Sequence, residues 1–261
     1  MYSAYNIISL GIGALLSIGI PIAAIIIFKL KNRGAWLPSA FIGAGTFLVF
    51  ALILEQLLHS VMLPMIGDNK AAYCIYGILA AGVFEETGRF AAYKTLMKKH
   101  LTTENAVFMG IGHGGFEAAA LLGVSMMSYF FTAIVVNMTG GIEEFAAMSA
   151  QTQEAEAALR VQLGAIGQIG LGNVALSVFE RVIAMVFHVC MSVWVYKAVS
   201  EKGKFWIYPA AVLTHAVLDL FAVVYQVGVV TSLAFVYLPM SVLTVIVAFI
   251  TFRAIKNVAA K

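Results

Sequence analysis

The chain has 261 residues, of which 62% are hydrophobic and only 11% charged, with a formal net charge of +3. A soluble domain carries roughly 25% charged residues, so this composition excludes a water-soluble globule and predicts an integral membrane protein. The small positive charge is no nucleic-acid signal, because the basic residues sit in short clusters between apolar runs, where they set topology.

A bilayer-crossing helix needs about 20 apolar residues. Seven stretches meet that length: 5–28, 36–63, 71–97, 104–136, 172–199, 206–227 and 230–254. The expected fold is all-α, a polytopic membrane bundle of seven transmembrane helices, forming a single integral membrane domain over 1–261 in the cell membrane. The first run lacks a basic n-region and is followed by Lys29, Lys31 and Arg33, so it reads as a retained span and not a cleaved signal.

The joints fix the orientation. Lys29, Lys31, Arg33, Lys94, Lys98, Lys99, Lys197, Lys202, Lys204, Arg253, Lys256 and Lys261 fall on one side of the seven-span arrangement, and Lys70 and Arg160 on the other. Lys and Arg collect in the cytoplasm, so the N-terminus is expected outside and the C-terminus inside. The longest loop, 137–171, is then extracellular. Residues 141–163 within it have a helical pattern, either an interfacial helix over a cavity mouth or a solvated loop helix. Gly164, Gly167, Gly170 and Gly172 are expected to break that helix from the fifth span. Cys74 and Cys190 fall near opposite sides of the membrane, which argues against a disulfide.

Within the apolar stretches lie residues that are expensive to place there. A charged side chain at the bilayer centre costs about 2.5–3.5 kcal/mol on insertion scales. Counted from the cytoplasmic boundary at 1.5 Å per residue, His113, His188 and His215 lie roughly 15–18 Å deep, and Glu85 and Glu86 share that level. Four helices thus carry polar groups in one layer, which predicts a common hydrated cavity. His113–Glu117 and His215–Asp219 are i, i+4 pairs and share a helix face, and Arg89 can reach either Glu85 or Glu86. Glycines flank His113 in Gly110-Ile111-Gly112-His113-Gly114-Gly115, where small residues let helices approach closely.

Three neutral imidazoles with nearby carboxylates suit a divalent transition metal, zinc above all. Catalytic zinc takes three protein ligands and leaves a fourth position for water. His113, His188 and His215 are the candidate ligands. Glu85 or Glu86 is the candidate general base, with Arg89 holding one of them ionised, and Glu117 and Asp219 orient rings or replace a ligand. A metal-free alternative has Glu86 and a histidine activate water together. His59 and His100 read as hydrogen-bonded interhelical contacts and not ligands, and Glu180–Arg181 as a pair that stabilises helix packing.

Phe84-Glu85-Glu86-Thr87-Gly88-Arg89-Phe90, Gly112-His113-Gly114-Gly115-Phe116-Glu117, Phe187-His188 and His215-Ala216-Val217-Leu218-Asp219 together resemble the YhfC family. That family is described as intramembrane metalloproteases and is grouped with the CAAX prenyl endopeptidases, the bacterial CPBP proteins and the PrsW proteases. The resemblance covers the third to sixth spans. It implies that Glu85 and Glu86 match the paired glutamates of E-E-x-x-[K/R], one of them the water activator, and that Arg89 is the basic residue after them. His113 and Glu117 fall on the second motif, and His215 and Asp219 on the late H-x-x-x-[N/D]. Two departures stand out. The CAAX-type spacing is one residue longer, and Asp219 occupies a position where some relatives use asparagine in an oxyanion role. The same superfamily includes the gamma-secretase scaffold subunit, which has no proteolysis of its own.

The leading expectation is a peptidase that cuts a membrane protein or peptide within or near the bilayer. The alternatives are a non-catalytic scaffold or immunity protein that binds a partner helix, and a proton-coupled transporter, since buried carboxylates and histidines also make proton relays.

Overall fold

The computed structural model describes residues 1–259; Lys261, one of the basic residues used to orient the chain, lies outside the described residues. Among those residues the regular structure is entirely helical. The helices are α1 Ala4–Lys31, α2 Pro38–Thr46, α3 Gln56–Ile66, α4 Lys70–Lys94, α5 Thr103–Ala118, α6 Val124–Met138, α7 Ile142–Ser149, α8 Gln153–Ile166, α9 Leu171–Ser200, α10 Ile207–Gln226 and α11 Ala234–Ala259.

Two wide-turned π segments, Phe47–Glu55 and Ala119–Gly123, join α2 to α3 and α5 to α6 into continuous rods. The sequence reading did not foresee them. Such segments re-aim the side chains beyond them and recur at functional sites. Here the first begins directly after Thr46 and ends on Glu55, and the second begins two residues after Glu117.

Six helical runs among the described residues are long and apolar enough to cross a membrane: Ala4–Lys31, Pro38–Ile66, Thr103–Met138, Leu171–Ser200, Ile207–Gln226 and Ala234–Lys256. They match six of the seven expected spans. The remaining one, 71–97, is α4. Its 25 residues give it the length, but Glu85, Glu86, Arg89 and Lys94 make it too polar to qualify by composition. Many large side chains of the apolar runs face outward, Leu15, Phe41, Phe235 and Leu238 among them, as lipid contact requires.

The chain packs as two compact units. One comprises Met1–Ile20 and Ala118–Val182. Its core joins Tyr2, Leu10 and Ala14 to Met126, Ala133 and Val136 and to Leu163 and Ile166. The loop expected to hold one helix over 141–163 holds two, because Thr152 interrupts the run. Its hydroxyl accepts from the Ala155 amide at 3.1 Å and starts α8 afresh. The far end of α8 is docked, not solvated. The Tyr2 hydroxyl donates to the Leu163 carbonyl at 2.8 Å, and the Asn6 amide donates to the Ile166 and Ile169 carbonyls, both at 2.8 Å. These bonds satisfy carbonyls that a helix end leaves unpaired. The helix stops at Ile166 and α9 begins at Leu171, within the expected glycine run.

The other unit comprises Pro21–Glu117 and the chain from Ile183 onward. Here α4 lies along α10 and against α2 and the first π segment. Glycines permit these approaches. A Cβ on Gly112 would collide with the backbone of Ala40 on α2, one on Gly110 with the backbone of Val189 on α9, and one on Gly82 with the Val212 carbonyl on α10. The close packing expected of the glycines around His113 is therefore present, backbone against backbone. Cys74 and Cys190 are both free.

Candidate metal centre

Every candidate residue in the second unit enters one network, whose scaffold is α4. Arg89 is completely buried, and its guanidinium forks across one turn of its own helix. Nη1 donates to Glu86 Oε1, and Nη2 donates to Glu85 Oε2 at 3.4 Å. Nη2 also bonds His188 Nδ1 at 2.7 Å. A guanidinium can only donate, so His188 Nδ1 is the acceptor. A neutral His188 ring then carries its proton on Nε2, which faces Glu117 Oε2.

The tautomer of His113 follows from Thr46. The Thr46 hydroxyl has one hydrogen and gives it to the Gly43 carbonyl at 2.6 Å. Its 3.0 Å contact with His113 Nδ1 therefore needs the proton on that nitrogen. The Nε2 lone pair of a neutral His113 is left facing Glu85 Oε2 at 2.8 Å. Two acceptors at that distance repel unless a cation lies between them, either a proton or a metal ion.

His215 presents Nδ1 to Glu86 Oε1 at 2.7 Å and its Nε2 to Asp219 Oδ2 at 3.5 Å and Glu85 Oε2 at 3.9 Å. Glu86 Oε1 thus serves both Arg89 and His215. Glu86 Oε2 and Arg89 Nε are buried with no hydrogen-bond partner among the described residues. Aromatic edges hold the rings in place: Phe47 stands edge-on to His113 at 5.3 Å, and Phe187 to His215 at 5.5 Å.

Glu85 Oε2 is the hub, with Arg89 and all three histidines within 3.9 Å. Ligand atoms of Glu85, His113 and His188 lie within 4.8 Å of one another and could hold a metal ion. The donor chemistry fits. A carboxylate with two imidazoles suits zinc or a similar divalent ion, and the facing lone pairs of Glu85 and His113 call for a cation. The Thr46 contact supplies the outer hydrogen bond that a metal-bound histidine needs. His188 can join only by releasing Arg89 from Nδ1 or Glu117 from Nε2. Glu85 is the third member of this candidate ligand group, beside the His113 and His188 that the sequence named together with His215.

The layer is deeply buried and joined by its own ion pairs, with Glu86, Arg89 and His113 at 0% exposure. Asp219 is the most exposed of the group, with 26% of its side chain accessible.

Two contributors escaped the sequence reading. Thr46 carries no local signal, since a lone hydroxyl in an apolar span is common. His59, read as a hydrogen-bonded interhelical contact and not a ligand, bonds the Tyr76 hydroxyl through Nδ1 at 2.6 Å, and its Nε2, to which the sequence reading assigned no part, lies 3.4 Å from Glu55 Oε1. Its signal was available, because Glu55 and His59 form the same i, i+4 acid–histidine pairing as the recognised motifs. His100 stacks on Trp36 at 3.9 Å, a packing role. Glu180 and Arg181 pair with each other in the first unit.

The family of YhfC intramembrane metalloproteases matches residues 15–239. The chain is also 32% identical over 243 residues to the uncharacterized membrane protein YhfC of Bacillus subtilis (strain 168), covering 90% of each chain. No solved structure matches it. With most of its length matched, this multi-pass membrane protein belongs to the YhfC family.

Proposed function

We propose that the chain is an intramembrane peptidase of the CPBP type that hydrolyses a peptide bond of a membrane protein or peptide within or near the bilayer. In this reading α4 also crosses the membrane, giving seven spans in one domain with the N-terminus outside and the C-terminus cytoplasmic. The observation that carries the reading is the Glu85–His113 contact, two lone pairs aimed at one point inside the bundle. The family description, intramembrane metalloprotease, supports the same chemistry.

Glu85, His113 and His188 would hold the metal, zinc by donor type, with His215 close enough to exchange into the set. Bound there, the ion would acidify water toward a pKa of about 7 and polarise the scissile carbonyl. The rest falls to the protein's own groups. Arg89 keeps Glu86 ionised and fixes its Oε1. Glu86 Oε2, which has no hydrogen-bond partner among the described residues, takes the proton from the attacking water. His215, held by Glu86, stands between that carboxylate and Asp219 and can pass the proton outward. Glu117 fixes the His188 ring.

One observation favours a second reading, a non-catalytic scaffold: the charges are buried and paired with one another, as in a purely structural network. One experiment separates the two. The purified protein is assayed for metal content and incubated with a library of membrane-derived peptides, and new termini are detected by mass spectrometry. We expect one divalent ion per chain and new termini that vanish in the Glu85→Gln/Glu86→Gln double variant. Unchanged cleavage by that variant overturns the peptidase.

A further inference from the structure

A polar approach leads toward the buried centre. A cavity of about 220 Å³ lies between α3, α4 and α10. Asp219 lines its inner part, with His59 and Tyr76 on the wall and Tyr73 and Gln226 near the helix ends. Along α4 it runs from Tyr73 to Ala81, about 12 Å at 1.5 Å per residue. Ala81 is one helical turn from Glu85 on the same face. The Lys70 ammonium donates to the Val227 carbonyl at 3.0 Å and ties α4 to the end of α10 beside the outer end of this passage.

The cavity wall is mixed: Leu63, Ala81, Ala222 and Val223 supply apolar surface, and two phenols, an imidazole, a carboxylate and an amide lie among them. A water needs two to four polar partners and roughly 30 Å³ of liquid volume, and the cavity meets both conditions for several waters. Behind the wall stands Glu55, buried, bound to His59 and within electrostatic reach of Glu85, Asp219 and His215. Tyr76, His59 and Glu55 thus form a polar chain at the cavity wall.

We propose that this cavity is the water entry of the centre. Solvent reaches Asp219 from the ends of α4 and α10 that carry Lys70 and Gln226, and Tyr76 and His59 hold the water column. The purpose assigned to that water rests on the peptidase reading; the hydration itself does not.

The test uses the full-length protein with Cys74→Ala and Cys190→Ala, carrying single cysteines Gly77→Cys or Ala222→Cys in the cavity, or Leu79→Cys on the lipid-exposed face of α4. A Cβ at Gly77 meets nothing closer than Val223 at 3.5 Å, so that substitution fits. A cationic, membrane-impermeant methanethiosulfonate is applied to proteoliposomes from each side. We expect both cavity cysteines to react at least tenfold faster than Leu79→Cys, and from one side only. Cavity rates no faster than the lipid-facing rate overturn the entry, whatever the cleavage result. A second arm fills the cavity with Ala222→Phe. The proposal expects cleavage to fall at least tenfold at unchanged metal content, and full cleavage by a metal-loaded Ala222→Phe protein overturns it. Fast one-sided labelling of a protein that cleaves nothing would leave the entry standing and remove the peptidase.

Discussion

Glu85 and His113 meet at 2.8 Å, carboxylate oxygen to imidazole Nε2, although they come from helices α4 and α5 and lie 28 positions apart. The proton that would make this an ordinary hydrogen bond is committed on the far side of the ring, to Thr46. A further proton or a metal ion has to lie at this contact, and Thr46 is what makes it so.

Thr46→Val keeps the shape of the side chain and removes the acceptor. Loss of an outer hydrogen bond to a metal-bound histidine costs about 10–100-fold in metal affinity or activity. Zinc titration of the purified variant should show a weakening of that order with the fold intact. Affinity equal to the parent protein would show that the His113 tautomer is set by something else.

Arg89 has the opposite character, a residue whose loss the fold itself should feel. Removing one partner of a buried ion pair costs about 3–5 kcal/mol, because the remaining charge stays buried and uncompensated. Arg89→Met should lower the unfolding midpoint in detergent sharply, and Arg89→Lys should not rescue it, since one ammonium cannot reproduce the fork to Glu86, Glu85 and His188. Adding Glu86→Gln to Arg89→Met should recover part of the loss. No recovery would show that the two charges do not compensate one another.

Gly112→Ala tests the helix approach that delivers Thr46 to His113. The new methyl collides with the backbone of Ala40, which cannot move without moving α2. Overpacking of this kind costs about 1–3 kcal/mol or more. Both thermal stability and metal affinity should fall together. Stability lost with affinity unchanged would separate the packing from the site.

Glu85 and Glu86 should separate by readout despite being neighbours. Glu85→Gln removes a proposed ligand, so metal content and cleavage should both fall. Glu86→Gln removes a proposed base, so cleavage should fall by about 10²–10⁴ in kcat with metal retained. His100→Ala serves as the comparison. It loses only a stack on Trp36, so cleavage should be unchanged.

Much of this protein is decided by sequence. Composition makes it a membrane protein, apolar run lengths place six of its spans, and the depth register of Glu85, His113, His188 and His215 foretells that they meet. Those features depend on chain-local quantities: hydropathy, a fixed rise per residue and a fixed helical repeat. What the tertiary structure decided depends on partners distant in sequence. It set Glu85 beside His113 and His188, where the three could hold a metal ion, turned His113 by way of Thr46, drew His59 toward Tyr76 and tied the polar layer together with ion pairs. Each outcome depends on which face a helix turns to its neighbour, and that is set by backbone contacts at Gly82, Gly110 and Gly112 and by π segments that rotate one rod partway along its length. No local pattern encodes those rotations, because they are properties of helices in pairs.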